Sequence, residues 1–202
     1  MASEKQVVLI FSMCDGAALA AAKTPALEKL FVKGAALTNV AIDGDVKARA
    51  SIGAKEGETL WDAAAKAGFR VADYKKEHDM AVVEAGASAA AVEEALAGVL
   101  EVSGRTTIIA LVARGLVVFY GPGFAKGKKI EKAVQPEVVA ATVPYVADFP
   151  VPEQCEAAVC YAALKDVNYK LKEIQKLQTT IANIESALEA KTRKPWDKHD
   201  CA

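Results

Sequence analysis

Val7-Val8-Leu9-Ile10-Phe11 is an unbroken run of β-branched, aliphatic and aromatic residues that ends near Asp15-Gly16. A strand with no polar face must be covered on both sides, so this run reads as a central strand of a sheet sandwiched by helices. Thr106 to Val112 and Leu116 to Tyr120 repeat the pattern, separated only by Ala113-Arg114-Gly115. Between and around these runs lie helix signals. Thr24 stands as a hydroxyl cap before Pro25, with Gly34 closing a stripe of Leu27, Leu30 and Phe31. Thr59 caps a helix through Trp61 and Ala65 to Gly68, Ser88 to Val102 is an Ala-rich helix, and Pro136 to Val146 reads as another. Ala36 to Ile42 and Phe69 to Val71 are expected as strands, with Met80 to Val83 a weaker one. Strands alternating with helices predict an α/β fold, a mostly parallel sheet between helical layers.

The length of 202 residues suffices for one core, burying roughly 70% of the unfolded surface without disulfide or metal staples. Ala supplies 41 of those residues, which suits close helix-on-sheet packing. With 25 basic and 26 acidic residues no global field attracts nucleic acid or an anionic membrane, so neither is an expected partner. Val7 to Cys14 is too short for a signal peptide or membrane span, and later stretches are interrupted by charge. Cys14, Cys155, Cys160 and Cys201 have no metal-ligand spacing; reduced thiols in a cytoplasm fit them best, with a local Cys155–Cys160 disulfide as the alternative.

Pro150-Val151-Pro152 is a rigid break, and the chain beyond it changes character. From Asp166 to about Lys191, Val167, Leu171, Ile174, Leu177, Ile181, Ile184 and Leu188 are spaced 4, 3, 3, 4, 3, 4, a mean of 3.5, with polar residues between them. That is the seam of a long coiled-coil-like helix. Two readings remain open: the stripe is buried along its own domain, or it pairs with copies of itself, which its narrowness favours. The expected organisation is thus an α/β core over residues 1–165 and a C-terminal oligomerisation helix and tail over 166–202. The last ten residues, with Lys194-Pro195-Trp196, read as neither helix nor strand.

Three segments in order resemble the alkaline phosphatase superfamily, in particular its sulfatase, phosphodiesterase and cofactor-independent phosphoglycerate mutase members. The first is the strand to Asp15-Gly16, followed by Thr24-Pro25-Ala26-Leu27-Glu28-Lys29-Leu30 and Gly34-Ala35-Ala36-Leu37-Thr38-Asn39. The second is Glu58-Thr59-Leu60-Trp61-Asp62 through Gly68-Phe69-Arg70-Val71. The third is Thr106 through Gly115 with Val117-Val118-Phe119-Tyr120-Gly121-Pro122-Gly123 and Lys126-Gly127-Lys128-Lys129-Ile130; Val138 to Phe149 and Tyr161-Ala162-Ala163-Leu164 match the closing helix and tail. The resemblance covers roughly residues 6–165. It implies an alkaline phosphatase-like core and, in active members, two zinc or manganese-type ions held by several Asp and typically three His around a Ser, Thr or Cys nucleophile.

The chain departs from that pattern where chemistry resides. The places where the resemblance implies an adjacent Asp and His hold Ala113 and Arg114, and a methyl group cannot ligate while a guanidinium repels a divalent ion. His78 and His199 are the only imidazoles. Between Asn39 and Ile52 the nucleophile segment offers only Ser51, late in the register. A non-catalytic protein that self-assembles as a homo-oligomer, structural or scaffold in role, is therefore the expected function. A metal-dependent phosphoric or sulfuric ester hydrolase with a reduced site is the alternative, and a module binding a phosphorylated metabolite is a third.

If a divalent metal, zinc, manganese or magnesium, is bound, the candidate ligands are Asp15, Asp43, Asp45, His78 and Asp79, each expected after a strand at the ligand-binding edge of the sheet. The competing reading makes Asp15 a helix cap, Asp43 and Asp45 turn residues, and His78 and Asp79 a solvated loop. Arg114 with Lys126, Lys128 and Lys129 around Gly121-Pro122-Gly123 is a candidate anion cradle, or a solvated strand-to-helix connection. The implied geometry also sets Arg114 opposite Asp15, where an ion pair would replace a lost metal. His199 and Cys201 are expected to be solvated.

Overall fold

A computed structural model describes residues 5–41, 44–166 and 168–192. The chain divides between Lys165 and Asp166 into two compact units. The first is an α/β unit built on one six-stranded sheet.

Its strands are β1 (Gln6–Asp15), β2 (Ala35–Leu37), β3 (Met80–Ala85), β4 (Thr107–Arg114), β5 (Leu116–Tyr120) and β6 (Lys128–Ile130), in the spatial order β3-β1-β4-β5-β2-β6. β1 runs parallel to both β3 and β4, β2 and β6 are parallel to each other, and β5 alone runs antiparallel to its neighbours. The apolar run of β1 is buried from Val7 to Phe11 on both faces, as its composition requires. Val7, Leu9 and Phe11 join the core beneath α3 (Val46–Ile52), α4 (Leu60–Lys66) and α6 (Val138–Ala147). Val8 and Ile10 join the opposite core, beneath α1 (Gly16–Ala21), α2 (Pro25–Lys33) and α5 (Ala89–Val102). Period-two alternation along β1 and β4 therefore feeds two separate helical layers.

Two glycines set the turns around β4. Gly115, at φ 76°, is the single residue between β4 and β5, in a conformation that costs other residues. Gly16 opens α1 so close to that turn that a Cβ would stand 2.4 Å from Leu116 Cβ and 2.8 Å from the Arg114 carbonyl.

Several expectations are corrected. β2 spans Ala35–Leu37 rather than 36–42; past it, Val40 makes only an isolated bridge to Val134, and Ile42 lies outside the described residues. Phe69 to Val71 forms no strand but one bridge to Met80, held by Arg70 and Ala72 backbone bonds to β3. α3 is a further helix beyond those expected, capped by Asp45 and ended by Gly53, in the left-handed region at φ 77°. The lysine-rich connection contains β6, an exposed edge strand whose charges suit an unpaired margin. Thr24 makes no side-chain cap to α2; its hydroxyl donates to Glu93 Oε2 at 2.6 Å, and Glu93, from α5, accepts the Ala26 and Leu27 amides at 2.8 and 3.0 Å. Burial works against the charge on Glu93, but these three donors outweigh it and hold the carboxyl below its ordinary pKa.

Thr59 does cap α4, in a capping box with Asp62. Cys14, Cys155 and Cys160 are free thiols, and Cys201 lies outside the described residues.

The second unit holds α7 (Tyr169–Thr192), 24 residues and about 36 Å long. Ile174, Leu177, Ile181, Ile184 and Leu188 are each between 50% and 64% exposed. Val167 lies outside the described residues, and Leu171 lies on the helix with its side chain outside them.

Candidate functional site

In an open α/β sheet the ligand crevice forms beyond the carboxyl ends of the parallel strands, where successive connections diverge to opposite sides. Here β1 is that point: the chain leaves it for β2 on one side, then returns to β3 on the other. The ends of β1, β3 and β4 with the start of α3 enclose a crevice of about 90 Å³ lined by Phe11, Ser12, Met13, Lys47 and Glu84 among others. Its volume amounts to a few waters.

The charges at this edge are already committed. Asp15 accepts the Ala17 amide at 2.7 Å as the cap of α1, and Asp45 accepts the Ala48 amide at 3.1 Å as the cap of α3. Lys47 pairs with Glu84 across the crevice and stands 6.0 Å from the Phe11 ring centroid. The crevice thus has an ammonium of its own. Ser12 is bonded to the Gly86 carbonyl at 2.7 Å and the Cys14 amide at 3.0 Å, which leaves its hydroxyl oriented by backbone rather than by a base.

Asp15 and Arg114 are register partners on β1 and β4, but no ion pair joins them. The Asp15 carboxylate is turned to its helix instead. Ala113 is fully buried in the core. Ser51 is also buried and donates to the Ala48 carbonyl at 3.0 Å, as a helical side chain bonded to its own turn.

His78 and Asp79 stand before β3, not after a strand, and so lie at the amino edge of the sheet. Gln6 Nε2 donates to the His78 carbonyl at 3.3 Å and the Val7 amide to the Asp79 carbonyl at 2.8 Å, at the opposite end of β1 from Asp15. Nine residues of strand separate the two ends, about 30 Å. The candidate metal ligands are therefore not one constellation. Asp43 lies outside the described residues, and among those described no group of three or more His, Cys, Asp or Glu is placed to hold a metal. Nor do His78 and Asp79 form a solvated loop, for both are buried. Asp79 accepts the Arg70 amide at 2.8 Å and pairs with Arg70 Nε at 3.5 Å. His78 Nδ1 lies 2.8 Å from the Lys76 carbonyl, an acceptor, so that nitrogen carries the proton; Nε2 is buried without a partner.

The anion cradle does not assemble either. Lys128 is level with Ala35, Phe119 and Ala110 across the sheet, whereas Arg114 lies four residues further along β4 and three strands away, a separation of about 19 Å. Lys126 and Lys128 are exposed, and Lys129 pairs with Glu131 at 2.8 Å.

The larger concavity is one that no sequence motif marked: a cleft of about 620 Å³ between β6 with its continuation to Val138, the end of α3, and the segment 156–162. That segment is a strap tied at both ends, Glu156 N to Gly53 O at 3.1 Å and Cys160 N to Thr142 Oγ1 at 2.9 Å. Below it Arg49 joins α3 to α6, its Nε 2.5 Å from Glu137 Oε1 and its Nη2 2.8 Å from Gln135 Oε1. Burial pushes the Cys160 thiol above its usual pKa, against the Ala163 and Ala162 amides and the nearby Lys128 and Lys132 ammonium groups.

No helix among the described residues is long and apolar enough to cross a membrane. No protein-family model matches the chain, and no curated protein matches it.

Proposed function

We propose that this chain is a non-catalytic cytoplasmic protein with a shortened alkaline phosphatase-like core, which assembles with copies of itself through α7 in a structural or scaffold role. The observation that carries the reading is the exposed 3.5-residue seam. From Ile174 to Leu188 the spacing 3, 4, 3, 4 keeps one unbroken heptad register, with Ile174, Ile181 and Leu188 at one core position and Leu177 and Ile184 at the other. Apolar side chains of this size, half exposed along a helix, favour a surface that covers them.

A second copy suits the seam because the flanking positions Gln178, Thr180, Glu185 and Ala187 carry a single charge, so a parallel pair opposes no like charges. Loss of chemistry supports the same reading: Asp15 and Asp45 are spent as caps, and Lys47 with Glu84 occupies the crevice. Native mass spectrometry of the full chain tests it. A multiple of 21.3 kDa is expected, collapsing to the monomer in Ile181→Lys with an unchanged circular dichroism signal from the α/β unit. A monomeric wild type refutes the assembly, and turnover of an aryl phosphate or sulfate with added zinc, manganese or magnesium refutes the absence of catalysis.

A further inference from the structure

We propose that the cleft beneath the 156–162 strap binds an amphipathic organic anion, an apolar carbon chain or ring bearing one carboxylate. The volume, about 620 Å³, falls in the range of small-molecule sites. It exists because the strap is fixed at both ends while short side chains, Ala54, Ala133, Ala157, Ala158 and Ala162, leave the space between unfilled. Interiors otherwise pack densely, so a concavity of this size next to a well-filled core is a shape the backbone imposes.

The floor is apolar. Ile130 and Val138 are buried there, and Val134 and Val159 pack against the same core. The charges at the cleft favour an anion. Glu137 is offset by Arg49, whereas Lys55 and Lys132 line the cleft with no ion pair among the described residues. Against these two ammonium groups the lining holds Glu156, which has no ion pair among the described residues, and Glu137 Oε2 is buried without a hydrogen-bond partner. A carboxylate suits these lysines better than a phosphate. Phosphate sites gather several backbone N–H groups, and the first amides of α6 are already donated to Gln135, Pro136 and Glu137 carbonyls, leaving ammonium groups as the donors. The apolar body then lies on Ile130, Val134 and Val138 while the head meets Lys55 and Lys132.

Decanoate below its micellar concentration is the probe, titrated calorimetrically into the full chain, with amide chemical shifts followed by NMR. Saturable one-site binding is expected, with shifts centred on Val134, Val159 and Tyr161. The doubly substituted Lys55→Glu/Lys132→Glu is expected to weaken it at least tenfold, as is replacement of decanoate by neutral decanol; raised salt weakens it too. Ala157→Leu, which narrows the cleft, weakens binding without touching a charge. Absence of saturable binding, equal affinity for decanol, equal affinity in the charge-reversed variant, or shifts centred on α7 instead would each overturn the proposal. The charge-reversed side chains are exposed, so folding of that variant does not depend on refilling a core.

Discussion

Glu93 offers the sharpest test of how two helices of one layer are tied together. It belongs to α5 yet terminates α2: its two carboxylate oxygens take the Thr24 hydroxyl and the amides of Ala26 and Leu27, both buried residues. Removing the carboxylate in Glu93→Ala strands two donors at a helix start that has little access to water. Each unsatisfied buried donor costs about 1–3 kcal/mol. Thr24 is free to rotate and recover one in the manner of an ordinary N-cap, worth about 1 kcal/mol. One donor then stays unsatisfied, so the net loss is about 1–3 kcal/mol, a fall in Tm of about 2–12 °C for a unit of this size. Glu93→Gln keeps one acceptor oxygen and loses the charge near the helix dipole, so about 1 kcal/mol is expected.

The pH dependence separates charge from shape. The folded carboxyl has a lowered pKa, so its charge stabilises fully above the unfolded value near 4.3 and that stabilisation drains as pH falls through the lower folded value. In urea titrations the advantage of wild type over Glu93→Gln should therefore shrink in the window below about pH 4.3, as pH falls toward the lowered folded value. An advantage that stays constant over this window, or an Ala variant within 0.5 kcal/mol of wild type by the same ~1 kcal/mol scale of a cap, would refute the reasoning.

Gly16→Ala forces a methyl against Leu116 and the Arg114 carbonyl, and should cost about 1–3 kcal/mol in chemical denaturation; a neutral substitution would mean α1 is free to move off the β4–β5 turn. Thr59→Ala and Asp62→Ala should each lower stability by about 1 kcal/mol but the double variant by less than the sum, because each removes the same capping box; strict additivity in the double-mutant cycle would contradict that. Lys47→Ala should change stability by less than about 1 kcal/mol, since Glu84 is largely exposed. A larger loss by thermal melting would show that the pair holds α3 on the sheet.

What the sequence made legible follows the strength of local signals. β1, β4 and β5 announced themselves because both faces are buried and their runs are uninterrupted. β6 did not, since Lys128 and Lys129 are exposed at a sheet margin and only Ile130 is buried. α3 is seven residues long with little periodicity, and only Asp45 and Gly53 at its ends carried the signal. The capping of α2 by Glu93 spans nearly seventy positions and has no local trace. At the site, His78 and Asp15 differ in which end of a strand they occupy, and that difference alone places them at opposite edges. The cleft has no sequence signature because it is made of what is missing: alanines where larger side chains would have filled the space.

The position of β1 bears on how the chain is made. Its two partners, β3 and β4, end at Ala85 and Arg114, so the apolar run of this central strand waits for both neighbours while about a hundred further residues are synthesised. At roughly 5–20 residues per second that is about 5–20 s. Through that interval Val7 to Phe11 is an apolar segment without its sheet partners, so early truncation products of this chain are expected to aggregate.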